Sequence, residues 1–137
     1  MSDRDDIAER LAELAAAIDA RDWDSVRAAF LPDARGYGTD GAEEIVRQVS
    51  GHLGACGPTQ HLIGNHRITV DGDTARSLTY ARVYHCGAGA MAGKFFECMG
   101  EYDDRWVRTP EGWRLSSRDF DMRIFLGDFG VFGPAAS

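Results

Sequence analysis

The stretch TQHLIGNHRITVDGDTARSLTYARVYHC, residues 59–86, decides the fold. It is rich in Ile, Val, Thr and Tyr, which suit a pleated, half-buried surface, and Asp71-Gly72-Asp73 divides it near the middle. The pattern predicts two long strands, Thr59 to Val70 and Thr74 to Cys86, joined as a hairpin. Side chains alternate between faces along a strand, so the register of the hairpin decides which residues share a side. With a three-residue loop from Asp71 to Asp73, Val70 pairs with Thr74. His61 then lies opposite Val83, and His85 stands two residues further along on the same face. Diagonal neighbours of this kind have backbones about 7–8 Å apart, enough to flank a small ring. A two-residue loop turns His85 to the other face, and a strand bulge restores either register. The sequence leaves both open.

Downstream, Phe95 to Arg108 and Gly112 to Leu126 read as a second hairpin around Thr109-Pro110-Glu111-Gly112. The glycines from Gly87 to Gly93 form the loop between the hairpins. Upstream, Ile7, Leu11, Leu14 and Ile18 recur at helical spacing between Asp3 and Arg21. A shorter helix is expected from Asp22, its N-cap, to Phe30, with Pro32 as its stop. Ala34 to Gly38 reads as a short strand. Asp40 and Glu43 resemble a capping pair for a third helix carrying Ile45, Val49 and Leu53, which the Gly54-to-Pro58 segment ends. Helices first and long antiparallel strands after is the α+β order. Gly64 and Gly100 inside strands predict a sheet that bends. A curved antiparallel or mixed sheet with three N-terminal helices on its concave face makes a cone with one open end, a natural small-molecule pocket.

The chain has 137 residues, which fits a single domain, residues 1–137, with one real core. A formal net charge of −7, with Lys94 as the one lysine, argues against a nucleic-acid partner. No run approaches the ~18 apolar residues of a membrane helix, so no membrane partner is expected. The opening residues lack a basic segment followed by an apolar one, so no signal peptide is expected. Cys56, Cys86 and Cys98 form no C-x-x-C pair and fit reduced thiols in a cytoplasmic protein.

The residues that share parity with His85, namely Thr79, Ala81 and Val83, are small enough to line a cavity. Leu78, Tyr80 and Tyr84 point the other way. Histidine, with an ordinary pKa of about 6.5, is the readiest acid or base near neutral pH. His66 is an odd number of residues from His61, which places the two on opposite faces of an undistorted strand. No metal-ligand spacing appears, so no metal is expected. His52 reads as a structural residue of the third helix. Cys86 follows His85 directly and points away from it, which disfavours a Cys–His nucleophilic pair. Asp19 lies at the edge of the buried stripe of the first helix, near its C-terminus. The dipole disfavours a carboxylate there. It is read equally as a solvated acid and as the partner of a histidine.

Three segments carry a family resemblance: Ala17-Ile-Asp-Ala-Arg-Asp-Trp-Asp24, Thr59-Gln-His-Leu-Ile-Gly64 and Arg82-Val-Tyr-His85. With Gly100-Glu-Tyr and the closing Glu111-Gly-Trp-Arg114, they resemble the SnoaL-like branch of the nuclear transport factor 2-like superfamily. Within it the chain is nearest to scytalone dehydratase, whose T-Q-H-F-I-G motif differs only at Leu62. The resemblance implies a cofactor-free pocket in which His61, His85 and Asp19 do acid–base work, with Asp19 orienting His85. Two tyrosines of scytalone dehydratase that hold a water at the substrate carbonyl fall at Ile18 and Gly38. Tyr37, one residue away, is the candidate replacement, and Val83 and Phe129 are further candidates for substrate contact. The apolar run Phe125, Leu126, Phe129, Val131, Phe132 is expected to fold over the pocket mouth or to dock on an outer groove. A homodimer or homotrimer through the outer sheet face, with Tyr80 and Tyr84 as contacts, is also implied.

The leading functional expectation is a lyase that dehydrates a small cyclic or polyketide-like hydroxy-ketone substrate. A polyketide cyclase or isomerase using the same histidines is the second reading. A non-catalytic small-ligand-binding module is the third.

Overall fold

The computed structural model describes residues 2–135. Helix α1 (Asp3–Asp19) begins at a capping box in which Ser2 and Asp5 satisfy each other's backbone amides, and its first turn is acidic, as the helix dipole favours. Its buried stripe is Ile7, Leu11, Leu14, Ala17 and Ile18. Helix α2 (Trp23–Ala28) is capped by Asp22, whose side chain accepts from the Ser25 amide. Strand β1 (Phe30–Gly36) starts at Phe30, four residues before the expected Ala34. Pro32 therefore lies inside a strand, in the irregular stretch of the β1–β6 pairing between Phe30 and Arg35, where no regular ladder bond is asked of its nitrogen.

The short β2 (Thr39–Asp40) leads into α3 (Ala42–Leu53), which buries Ile45, Val49 and Leu53 as expected. The expected capping pair is not formed. Gly41 occupies the N-cap with φ 93° and no side-chain bond. Asp40 pairs with Arg35 instead, and Glu43 with Arg27.

Strands β3 (Thr59–Asp71), β4 (Thr74–Cys86), β5 (Phe95–Thr109) and β6 (Gly112–Gly127) complete one sheet in the order β2-β1-β6-β5-β4-β3. All pairings are antiparallel except β1 with β6. The core lies between the helices and the concave face, where Ile7, Leu11, Ile18, Phe30 and Ile45 meet Trp106, Trp113 and Leu115.

The hairpin differs from the three-residue reading in two compensating ways. Asp71 pairs with Thr74, so the loop is only Gly72-Asp73, with Gly72 at the φ of 61° that a II′ turn asks of its first residue. Alone, that would turn His85 away from His61. Between Gly64 and Arg67, however, Asn65 and His66 together oppose Thr79 only. This bulge, with Asn65 left-handed at φ 54°, restores the pairing of His61 with Val83. It also corrects the placement of His66, whose Nδ1 lies 3.2 Å from the hydroxyl of the buried, inward Thr79. His66 therefore shares the concave face with His61.

A second bend sits where Gly100 faces Met122 and Arg123 is extruded from the β5–β6 ladder. A Cβ at Gly100 would approach the Asp121 carbonyl oxygen to 2.2 Å, so only glycine lets the two backbones close at this point. Gly100→Ala is expected to lower the unfolding free energy by about 1–3 kcal/mol in urea denaturation.

Candidate active site

His61, at the start of β3, and His85, at the end of β4, both face the concave side, and both side chains are buried. The His61 Nδ1 lies 2.7 Å from Asp19 Oδ1. Its backbone amide donates to Asp19 Oδ2 at 2.9 Å, and the Thr59 hydroxyl donates to Oδ1 at 2.9 Å. A carboxylate that accepts these bonds is ionised, so the His61 Nδ1 carries a proton, and in the neutral ring the lone pair is on Nε2. Burial works against the Asp19 charge, but the bonds from His61 and Thr59 outweigh it and hold the carboxyl below its ordinary range.

His85 is oriented differently. Its Nδ1–H donates to the Phe96 carbonyl at 2.8 Å, which again leaves Nε2 as an acceptor. Burial pushes its pKa down, and the Phe96 bond only partly offsets this. The expectation that Asp19 orients His85 is thus corrected. Asp19 sits at the C-terminal end of α1, which packs beside β3, so its reach is to His61, while His85 is held by β5.

Both imidazoles line a cavity of about 330 Å³. The proposed contacts Tyr37, Val83 and Phe129 line it too, with Ile18, Phe96 and Tyr102. The C-terminal segment forms part of its wall through Phe129 and Phe132. Val131 is buried, Phe132 packs edge-on to His85 and stacks on His52, and the Gly133 amide donates to the His52 carbonyl at 2.9 Å. Phe125 and Leu126 stay exposed.

Behind Tyr37 and Tyr102, which line the far side of the cavity, lies a charged pair that the residue pattern did not reveal. Arg118 on β6 and Asp104 on β5 form a fully buried bidentate pair with N–O distances of 2.9 and 3.0 Å. Burial pushes the Asp104 carboxyl above its ordinary range, while the pairing keeps Arg118 charged. The guanidinium lies over the Tyr102 ring, 3.8 Å from its centroid, and Nη1 donates to the Tyr37 hydroxyl at 3.4 Å. The signal was present in β5, where Asp104 shares parity with the inward Phe96, Tyr102 and Trp106. His52 also lines the cavity, although its helical position read as structural.

On the outer face Tyr80 and Tyr84 are exposed, beside Leu62 at 66 % exposure and Ile124. Among the described residues no three His, Cys, Asp or Glu side chains group as metal donors, and no helix is long and apolar enough to cross a membrane.

A bent sheet backed by three helices, with an apolar pocket that has histidines on its wall, is the nuclear transport factor 2-like architecture. Within it the chain belongs to the SnoaL-like domain family, whose profile matches residues 1–119. The uncharacterised protein Rv2910c of Mycobacterium tuberculosis is 38% identical over 124 residues, covering 86% of this chain and 84% of its own. An NTF2-like protein with a cystatin-like fold from Novosphingobium aromaticivorans superposes with a TM-score of 0.73 at 26% identity, over 88% of this chain and 81% of that one. A candidate scytalone dehydratase from the same organism gives 0.78 at 15% identity, over 90% and 85%. The hexachlorocyclohexane dehydrochlorinase LinA-type3 of Novosphingobium barchaimii gives 0.75 at 16%, over 90% and 88%. At these last two identities the likeness is one of fold.

Two measurements follow from the buried charges. Removing one partner of the Arg118–Asp104 pair strands the other, so Asp104→Ala is expected to cost about 3–5 kcal/mol of stability in chemical denaturation. His52, His66 and His85 are all pushed below their unfolded values by burial. Between the two values the unfolded chain binds more protons, so stability is full above the unfolded value of about 6.5 and falls as the pH drops through it. Thermal melts across pH 7.5 to 5 are expected to show this decline, with a shallower slope in His85→Gln.

Proposed function

We propose that the protein is a cofactor-independent acid–base enzyme, a dehydratase acting on a small cyclic or polyketide-like hydroxy-ketone. The observation that carries this reading is the Asp19–His61 bond at the wall of a mostly apolar cavity. Such a bond fixes the tautomer of the imidazole and stabilises the imidazolium formed when it takes a proton. An apolar wall lowers the local dielectric and strengthens the charge interactions beside it. Two proteins of the same fold carry the names of elimination enzymes, a dehydratase and a dehydrochlorinase, which supports the reaction class.

In this scheme His61 Nε2 removes a proton from the carbon next to the substrate carbonyl, and the C–H electrons pass into an enolate. The Tyr37 hydroxyl, which already accepts a bond from Arg118, donates a hydrogen bond to the enolate oxygen and keeps its proton. The enolate then collapses, a carbon–carbon double bond forms, and the hydroxyl on the next carbon leaves with the proton held by His61, as water. His85, with a lone pair on Nε2, accepts a hydrogen bond from a substrate hydroxyl and fixes the ring. Val83 and Phe129 supply apolar contact. A cytoplasmic location and a homodimer or homotrimer formed through the Tyr80–Tyr84 face belong to the same proposal.

A panel of β-hydroxy ketones assayed with wild type, Asp19→Asn, His61→Ala and His85→Ala tests it. His61→Ala is expected to lose about 10²–10⁴-fold in kcat. Full activity in both histidine variants refutes the mechanism. Product mass separates loss of one water from cyclisation or isomerisation. Saturable binding with no turnover leaves a ligand-binding module.

A further inference from the structure

The last turn of α1 carries a backbone conformation that its sequence does not favour. The helix closes with the Arg21 amide donating to the Ile18 carbonyl at 3.1 Å and the Asp22 amide to the Ala17 carbonyl at 2.9 Å. This is the Schellman arrangement, in which the residue after the cap enters the left-handed region and is usually glycine. Here that residue is Arg21, with φ 59°. Strain of this kind persists only where surrounding contacts hold it, and it is concentrated near functional sites.

The contacts of Arg21 lead to the acid–base pair. Its guanidinium donates to the Ile18 carbonyl at 3.0 Å, the Gly57 carbonyl at 3.0 Å and the Thr59 hydroxyl oxygen at 2.8 Å. A guanidinium only donates, so at this bond Thr59 must accept. The one hydrogen of Thr59 is then free for Asp19 Oδ1, which as a carboxylate only accepts. The same oxygen receives the His61 Nδ1–H, and the other receives the His61 amide. The bonds thus run one way, from Arg21 to Thr59 to Asp19, and meet the proton of His61 at the carboxylate. Arg21 itself does not line the cavity.

We infer that Arg21 is a positioning residue: acting through Thr59, it fixes the carboxylate of Asp19 and thereby the ring nitrogen that His61 turns to the cavity. This explains why an arginine occupies a backbone position suited to glycine. The inference rests on reading Asp19 and His61 as the acid–base pair, and it requires no particular substrate. The titratable and charged groups around this chain are Arg21, His61 on β3, His85 on β4, His52 on α3, and Cys56 in the loop after α3.

The test uses no turnover, so its failure is distinguishable from a failed dehydratase assay. Full-length protein labelled with ¹³C-aspartate and ¹⁵N-histidine is titrated by NMR as wild type, Arg21→Met, Thr59→Val and the double variant. Asp19→Asn and His61→Ala assign the two signals. Removing donors that favour the carboxylate is expected to raise the Asp19 midpoint by on the order of 0.5–1 pH unit in each single variant. The double variant is expected to rise no further than the larger single one, because both residues act in one chain. The His61 ring signals are expected to change from one tautomer to a mixture, and Thr59→Ser is expected to keep wild-type behaviour. Unchanged Asp19 and His61 signals in folded Arg21→Met and Thr59→Val overturn the inference. So does a double variant whose shift is the full sum of the two. If Arg21→Met does not fold, Arg21→Gly, which suits the left-handed backbone, replaces it in the same comparison.

Discussion

The carboxylate of Asp19 ties together parts of the chain that are some forty residues apart. One oxygen takes the Thr59 hydroxyl and the His61 ring, and the other takes the His61 amide. These bonds join the end of α1 to the start of β3, the edge strand of the sheet. A carboxylate near the negative end of a helix dipole is unfavourable, and burial adds to the cost. Three donors arranged around it offset both. The helix, the strand edge and the tautomer of His61 are therefore settled by one set of hydrogen bonds.

The cavity has a sorted polarity that follows from strand order. The two ring acceptors, His61 and His85, stand on β3 and β4. The phenols Tyr102 and Tyr37 stand on β5 and the turn after β1, with the Arg118–Asp104 pair behind them. A ligand with an acceptor at one end and donors at the other matches this gradient. Arg118 and Asp104 neutralise each other through a bidentate contact, so the buried charges polarise Tyr37 without leaving a net charge in the core.

Most of this fold was legible from residue pattern. The boundaries of β4 match the predicted Thr74 to Cys86, and its inward parity of Thr79, Ala81, Val83 and His85 follows from strict alternation. The cap of α3 was not legible, because Asp40 and Glu43 had surface arginines as competing partners. The register of the first hairpin was legible only as a choice, since Asp-Gly-Asp suits loops of two or three residues. Asn65, the non-glycine type that tolerates the left-handed region best, was the one mark of the bulge, and a single residue does not decide a bulge. For the candidate site, the common face of His61 and His85 was legible, but the Asp19 carboxylate was assigned to His85 and lies on His61. That pairing depends on which strand lies beside α1, a tertiary fact. Asp104 and Arg118 were missed because each looks like an ordinary surface charge until β5 and β6 are set side by side.

The bulge at Asn65–His66 has an evolutionary corollary. A hairpin with a three-residue turn and no bulge would give His61 and Val83 the same pairing as the two-residue turn with its bulge. Straightening the bulge without losing a residue would pair His61 with Tyr84, turning His61 and Ile63 outward and bringing Gln60 and Leu62 into the cavity. Deleting either Asn65 or His66 does not, because the remaining residue alone then opposes Thr79 and His61 still meets Val83. An extra residue in the turn leaves the same pairs intact. Homologous chains one residue shorter at the bulge or one longer in the turn can thus keep one site, and gaps at either place in an alignment are neutral for the histidines.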